Sequence, residues 1–387
     1  MNPNDFLKST AGRPVKTGQG YWAFLPRPLP PELVWSDVLV TLHTEAEREL
    51  ARLALAGSDF PHAYILVRPF IRKEAVISSQ IEGTRATLDD LYSYEADQMS
   101  FLEPGSDARE VYNYVRALDH GLERVKTLPI SLRLIRELHA KLMEGVRGEI
   151  MTPGEFRRSQ NWIGPAGCTL ETAPFVPPPV EEMHMALDAL EKFLHAPSDL
   201  PLLTRLGLIH YQFEAIHPFL DGNGRVGRLL ISLLLCEWEL LPRPLLYLSA
   251  YFERNRSEYY DRLLSVSRGG DWEGWLRFFL TGIRDQSREA AALVEALQQL
   301  RKRYHNQLTD HQSAGRLGQV VDFLLGTPLV SIRGLQAGLE LADFRSAQRY
   351  IEALEQAGIL REVTGRRRDR LFRADGVFNV IQAPRGT

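Results

Sequence analysis

The 387-residue sequence predicts an all-α protein: a helical core, a small β-hairpin flap, and a C-terminal winged helix-turn-helix. Three observations carry that prediction. Apolar residues recur at helical spacing through most of the chain. One stretch, residues 154–183, is broken by glycine and proline and rich in strand formers. The last seventy residues read as three short helices and a hairpin with a basic turn.

Residues 1 to about 35 are proline-rich ("FLPRPLPPEL") and read as irregular. Helical patterns follow in "DVLVTLHTEAERELARLAL", "PFIRKEAVISSQIEGT" and "ATLDDLYSYEAD", and two more helices lie within 108–146. In "GEFRRSQNWIGPAGCTLETAPFVPPPVEEM", Gly154, Gly164, Pro165 and Gly167 interrupt the helical period. Trp162, Thr169, Thr172, Phe175 and Val176 favour strand, so an extended flap or hairpin is expected there, ended by Pro177–Pro179. Helices resume to about residue 282. Residues 284–306 form a connecting helix with Leu293, Leu297, Leu300 and Tyr304 on one face. The expected division is 1–105, 106–283, 284–312 and 313–387. In the last unit Asp343 is a plausible helix cap. Arg345, Gln348 and Arg349 follow it, and Arg366, Arg367, Arg368 and Arg370 fall on the wing.

Composition bounds the function. Hydrophobic content of 44% and charged content of 25% are those of a globular protein. A net charge of -3 gives no global pull toward nucleic acid, although a local basic patch can sit within it. Cys168 and Cys236 cannot build a disulfide framework or a four-thiolate zinc site, which fits a reducing cytoplasm. The N-terminus has no signal-peptide core. The most apolar run, Leu229–Leu241, is too short to span a bilayer and carries Glu237 and Glu239, so no membrane partner is expected.

The chemistry concentrates in "HPFLDGNGRVGR", His217–Arg228. Gly222, Gly224 and Gly227 satisfy G-x-G-x-x-G, but the preceding segment has helical spacing where a dinucleotide site needs a strand. A Walker A loop is excluded too, since no Lys-Ser/Thr pair follows. The stretch instead reads as helix, loop, helix. Gly222 and Gly224 can turn successive N–H groups inward as an anion nest at a helix N-terminus. Arg225 and Arg228, three apart, project from nearly one face and suit forked contacts with phosphate oxygens. Asp221 is a natural Mg²⁺ partner beside phosphates, and His217, at the opposite lip, could accept a proton from a hydroxyl.

These twelve residues resemble the Fic signature H-x-F-x-[DE]-G-N-G-R-x-x-R, with every fixed position matched. The resemblance implies transfer of AMP from ATP to a Ser, Thr or Tyr hydroxyl of a target protein, with Mg²⁺ and release of pyrophosphate. It implies His217 as general base, Asp221 as metal ligand and Phe219 as anchor of the loop. It places the nucleotide phosphates on Gly222, Asn223, Gly224, Arg225, Val226, Gly227 and Arg228, with Arg228 at the γ-phosphate. The intact glycine pattern argues for AMP transfer over the phosphate transfer of Doc-type kinases. The 154–183 segment is similar to the family's flap, which takes a target segment by strand addition. "LYLSAYFERNRSEYYDRLL" is similar to the segment closing over the base, which puts Tyr259 and Tyr260 there, Tyr260 favoured. Upstream, "SSQIEGT" fits [ST]-x-x-x-E-[GN] through Ser78, Glu82 and Gly83. The resemblance makes it an inhibitory helix whose Glu82 pairs with Arg228 in place of the γ-phosphate, and de-AMPylation is a further possible activity. A homodimer is also implied. The alternative reading is a nucleotide-sensing, DNA-binding transcriptional regulator acting through the winged helix.

Overall fold

The computed structural model describes all residues except 59–62, 97–105, 147–151, 310–313 and 384–387. It is dominated by helices, with two small antiparallel sheets. The expected boundaries at 105/106 and 312/313 fall on segments outside the described residues.

The N-terminal region departs from the irregular reading. After a turn at Pro3–Phe6, strands β1 (Gly12–Lys16) and β2 (Trp22–Pro26) form a hairpin in register from Gly12↔Pro26 to Lys16↔Trp22. A two-stranded sheet has only edge strands, so Pro14 lacks no needed donor. Phe24 donates its N–H to the Val176 carbonyl (2.8 Å), and its ring packs 5.6 Å from that of Phe175. The hairpin thus braces the flap segment.

Helices α1 (Asp37–Ser58), α2 (Ala63–Ile81), α3 (Leu88–Ala96), α4 (Asp107–Arg124) and α5 (Leu132–Leu142) follow. Ser106 and Ser131 cap α4 and α5 through their hydroxyls. The flap segment is extended but holds only one bridge pair, Ile163↔Phe175, among the described residues. Gly164, Pro165 and Gly167 between them prevent a longer ladder.

Next come α6 (Val180–His195), α7 (Leu202–Ile216), α8 (Asn223–Glu237), α9 (Ser249–Arg254), α10 (Arg256–Gly269) and α11 (Trp272–Gln307). Helices α7 and α8 are buried nearly all round, including polar residues such as His210, Gln212, Asn223 and Arg228. Helix α11 runs without a break across the boundary expected at 283/284. Its first half packs on the core and much of its length lies along α1, where Arg284 and Arg288 reach Glu45 (2.9 Å) and Glu49 (3.3 Å).

The C-terminal unit runs α12 (Ala314–Gly326), β3 (Leu329–Ser331), α13 (Ile332–Gly338), α14 (Phe344–Gln356), β4 (Arg361–Glu362), β5 (Leu371–Arg373) and α15 (Asp375–Gln382), with strand order β3-β5-β4. It docks on α2 and α3. Arg68 donates to Thr327 Oγ1 (2.9 Å), Lys73 to the Ile381 carbonyl (3.2 Å) and Gln382 to Asp89 (3.0 Å), while Phe378 packs edge-on against Tyr92. Among the described residues no helix is long and apolar enough to cross a membrane.

Candidate active site

Helix α7 ends at His217, which adopts a left-handed conformation (φ 49°, ψ 61°) unusual for a residue with a side chain. Neighbours hold it there. Its carbonyl accepts from Arg157 Nε (3.0 Å) and Asn161 Nδ2 (3.3 Å), and its N–H bonds the Phe213 carbonyl (3.0 Å). Imidazole Nδ1 lies 3.3 Å from the Glu214 carbonyl, which can only accept. Nδ1 therefore carries the proton and Nε2 keeps its lone pair. Burial pushes the His217 pKa down to about 4, so the ring is neutral at pH 7.

The loop beyond is rigid for identifiable reasons. Phe219 is fully buried and stacks on His139 at 3.8 Å with a 5° tilt. Asn223 clamps Phe219 from both sides, its Oδ1 accepting the Phe219 N–H and its Nδ2 donating to the Phe219 carbonyl, each at 2.8 Å. His139 accepts the Gly154 N–H at Nδ1 (2.8 Å), so Nε2 is its donor, to the Asp221 carbonyl (3.0 Å). One neutral histidine thereby ties the flap to the loop. Asp221 is half exposed and accepts the Gly222 N–H (2.6 Å), with Arg225 3.7 Å away.

Helix α8 starts after Gly222, whose φ of +78° suits glycine, and no side chain caps its first turn. The uncapped N–H groups of Gly224 and its neighbours make this helix start attractive to anions. The Glu82 carboxylate lies beside this helix start. Its Oε1 sits against Gly224, where any side chain would strike it, and ion-pairs with Arg228 NH2 at 2.6 Å. Arg228 is 1% exposed and also donates from Nε to Ser78 Oγ and from NH2 to the Ser78 carbonyl, both at 2.9 Å. Burial weakens both charges. The Glu82–Arg228 attraction outweighs it, holding the Glu82 carboxyl below its usual range and the Arg228 guanidinium above its own. Gly83, at φ +98°, follows α2 at the turn that sets Glu82 against Arg228. Arg225 is also buried and pairs with Glu110 (3.3 Å).

Val226 and Gly227 are buried in the α7–α8 contact, where a side chain at 227 would collide with Glu214. The two tyrosines separate. Tyr259 is 1% exposed and its hydroxyl bonds His210 Nε2 (2.8 Å) inside an aromatic cluster. Tyr260 is 41% exposed and is the one of the pair open to a ligand. Sequence reading did not single out His139, Arg157, Asn161, Glu110 or Glu214. Only Glu214, one turn before His217, lay close enough to the motif to be found that way.

Among the described residues no three His, Cys, Asp or Glu side chains converge into a metal cage. A single half-exposed carboxylate at Asp221 beside an uncapped helix start is a donor set suited to Mg²⁺ that shares its coordination with phosphates.

Comparisons with known proteins place the chain among relatives. The Fic/DOC family N-terminal model matches residues 40–123 and the Fic/DOC family model residues 129–235. Proteins named protein adenylyltransferase Fic are similar: that of Drosophila virilis is 32% identical over 249 residues, covering 62% of this chain and 44% of that protein. That of Drosophila erecta is 31% identical over 51% of this chain and 37% of its own length. The chain thus spans less than half the length of these relatives. A Fic family protein from Desulfovibrio desulfuricans shares the fold with a TM-score of 0.59 and 21% identity, over 89% of this chain and 98% of that one. Residues 134–508 of Fic-1 from C. elegans align at 0.50 and 21%, over 68% and 74%. With both domain models matched in order and the signature folded as a helix–loop–helix anion site, the chain belongs to the Fic/DOC family.

Proposed function

We propose that the chain is a protein adenylyltransferase held in check by its own α2. One observation carries the reading: a neutral imidazole stands at one lip of an uncapped helix start, and a carboxylate lies against that start, paired with Arg228. In the proposed reaction His217 Nε2 takes the proton of a target Ser, Thr or Tyr hydroxyl. The freed oxygen bonds to the α-phosphorus of ATP, the bond from that phosphorus to the bridging oxygen breaks, and pyrophosphate leaves. The N–H groups of Gly222–Arg225 and the Arg225 guanidinium hold the phosphates, and Arg228 takes the γ-phosphate once Glu82 withdraws. Mg²⁺, held by Asp221 and the phosphates, would neutralise charge on the leaving pyrophosphate. Tyr260 lies beside the base, and the extended 161–164 segment receives the target backbone. The N-terminal region through α3 regulates, α4–α10 catalyse, and α12–α15 form a winged helix-turn-helix.

The test uses ATP labelled at either the α- or the γ-phosphate, with Mg²⁺. Label from the α-position should become covalently attached to the protein. Glu82→Gly should raise that labelling at least tenfold and His217→Ala should abolish it. Transfer of the γ-label would make the chain a phosphotransferase. No covalent label from any variant would overturn the enzymatic reading, and an unchanged Glu82→Gly rate would remove the inhibitory role.

A further inference from the structure

The C-terminal unit presents a basic face that the proposed chemistry does not use. Helix α14 packs against α12 and α13 through Ala347, Ile351 and Leu354, spaced as one helical stripe. Its opposite side begins with Arg345, Gln348 and Arg349, while Glu352 and Glu355 fall at its far end. The loop from β4 to β5 carries Arg366, Arg367, Arg368 and Arg370. Arg345, Arg349 and Arg366–Arg368 are exposed, and among the described residues none of the six basic side chains forms a salt bridge. Asp369 sits exposed among the loop arginines, and the two other acids nearby are engaged in local hydrogen bonds. Asp343 caps α14 through the Ser346 N–H (2.8 Å), and Glu362 accepts from the Thr364 N–H (2.7 Å) and the Gly365 N–H. In a chain of net charge -3, six guanidinium groups that form no salt bridge among the described residues, on two elements consecutive in the chain, mark a place where anionic charge is expected.

We propose that this face binds duplex DNA, with the first half of α14 in the major groove and the β4–β5 loop on the flanking backbone. The geometry selects the partner. A helix with side chains is about 10–12 Å across, and the B-form major groove is about 12 Å wide. A-form RNA closes that groove to a helix. A membrane surface would need an apolar wedge, yet Phe344 and Val363 are the large hydrophobics exposed here among the described residues. The residue types also fit: Arg and Gln suit both phosphates and base edges, and three consecutive Arg on a loop follow a phosphate track. The C-terminal unit docks on α2, α3 and α11 through α12, α15 and β3, and the end of α14 is tied to Gln307, so that the first half of α14 and the β4–β5 loop carry none of the main contacts.

The experiment is fluorescence anisotropy of the full chain with a labelled 25-base-pair duplex of mixed sequence. Micromolar binding is expected at 50 mM salt, weakening about 10²–10³-fold by 200 mM if roughly five phosphates are neutralised. Replacing Arg366, Arg367 and Arg368 together by Ala should flatten the slope of log affinity against log salt by about 3. Replacing Arg345 and Arg349 by Ala should weaken binding about tenfold or more, with the thermal midpoint unchanged in both variants. His217→Ala should bind like the wild type, which separates this face from the proposed catalytic site. Absence of binding at 50 mM salt would overturn the proposal. So would binding that the Arg variants leave intact, or tighter binding to double-stranded RNA or to vesicles containing 30% phosphatidylserine.

Discussion

Glu214 lies one turn before His217 and packs against Gly227, with Oε1 buried and without a hydrogen-bond partner in the structure. Burial pushes its pKa up to about 8, against the pull of Arg228, so it is a neutral acid at pH 7. In the unfolded chain the group ionises near about 4.3. Between those values the folded state keeps a proton that the unfolded state releases, so its contribution to stability falls as pH rises from about 4.3 to 8. Glu214→Gln cannot titrate. Its stability relative to wild type should therefore climb from pH 5 to pH 8 and level off above, read by urea unfolding at each pH. A difference that stays constant across that range would assign Glu214 no buried proton. At this scale the motif was legible, because His217, Asp221, Asn223 and Arg228 owe their chemistry to residue type and near neighbours. His139, Arg157 and Asn161 were not, because they reach the loop from segments about 60 to 80 positions away.

Helix α2 carries a second buried carboxylate. Glu74 accepts the Ser249 N–H (3.2 Å), the Ser249 hydroxyl and the Tyr114 hydroxyl (3.3 Å), which pins α2 to α9 and α4. Glu74→Ala would orphan those donors in the core and should cost about 2–4 kcal/mol, seen as a lower urea midpoint. A loss below about 0.5 kcal/mol would mean that water replaces the carboxylate. Gly83→Ala makes a separate test at the end of the same helix. A side chain at φ +98° is strained though the space around it is open, so it should cost about 1 kcal/mol and loosen the Glu82 turn. The predicted change is faster ATP-dependent self-labelling in Gly83→Ala than in wild type. Most helices were legible from apolar period, but the N-terminal hairpin was hidden by prolines that an edge strand tolerates. The flap shrank to one bridge because its glycines and prolines weigh more than its strand formers.

At the scale of the whole molecule, the seam between the C-terminal unit and α2–α3 was not legible at all. It joins Arg68 to Thr327 and Tyr92 to Phe378 across hundreds of positions, and no local pattern encodes such a pairing. Tyr92 is buried there, so Tyr92→Ala should open the seam. Hydrogen exchange should quicken in α15 and also in the last turn of α2, whereas acceleration confined to α15 would show two independent bodies. Helix α2 spans roughly 28 Å at 1.5 Å per residue. One flank of this helix, which carries Pro69 between Arg68 and Lys73, bears on the C-terminal unit, and the turn just past its end sets Glu82 on Arg228. Under the proposed function, a tug at the arginine-studded end of the chain would reach the core through this helix, and the bolt it would slide is the carboxylate that faces Arg228.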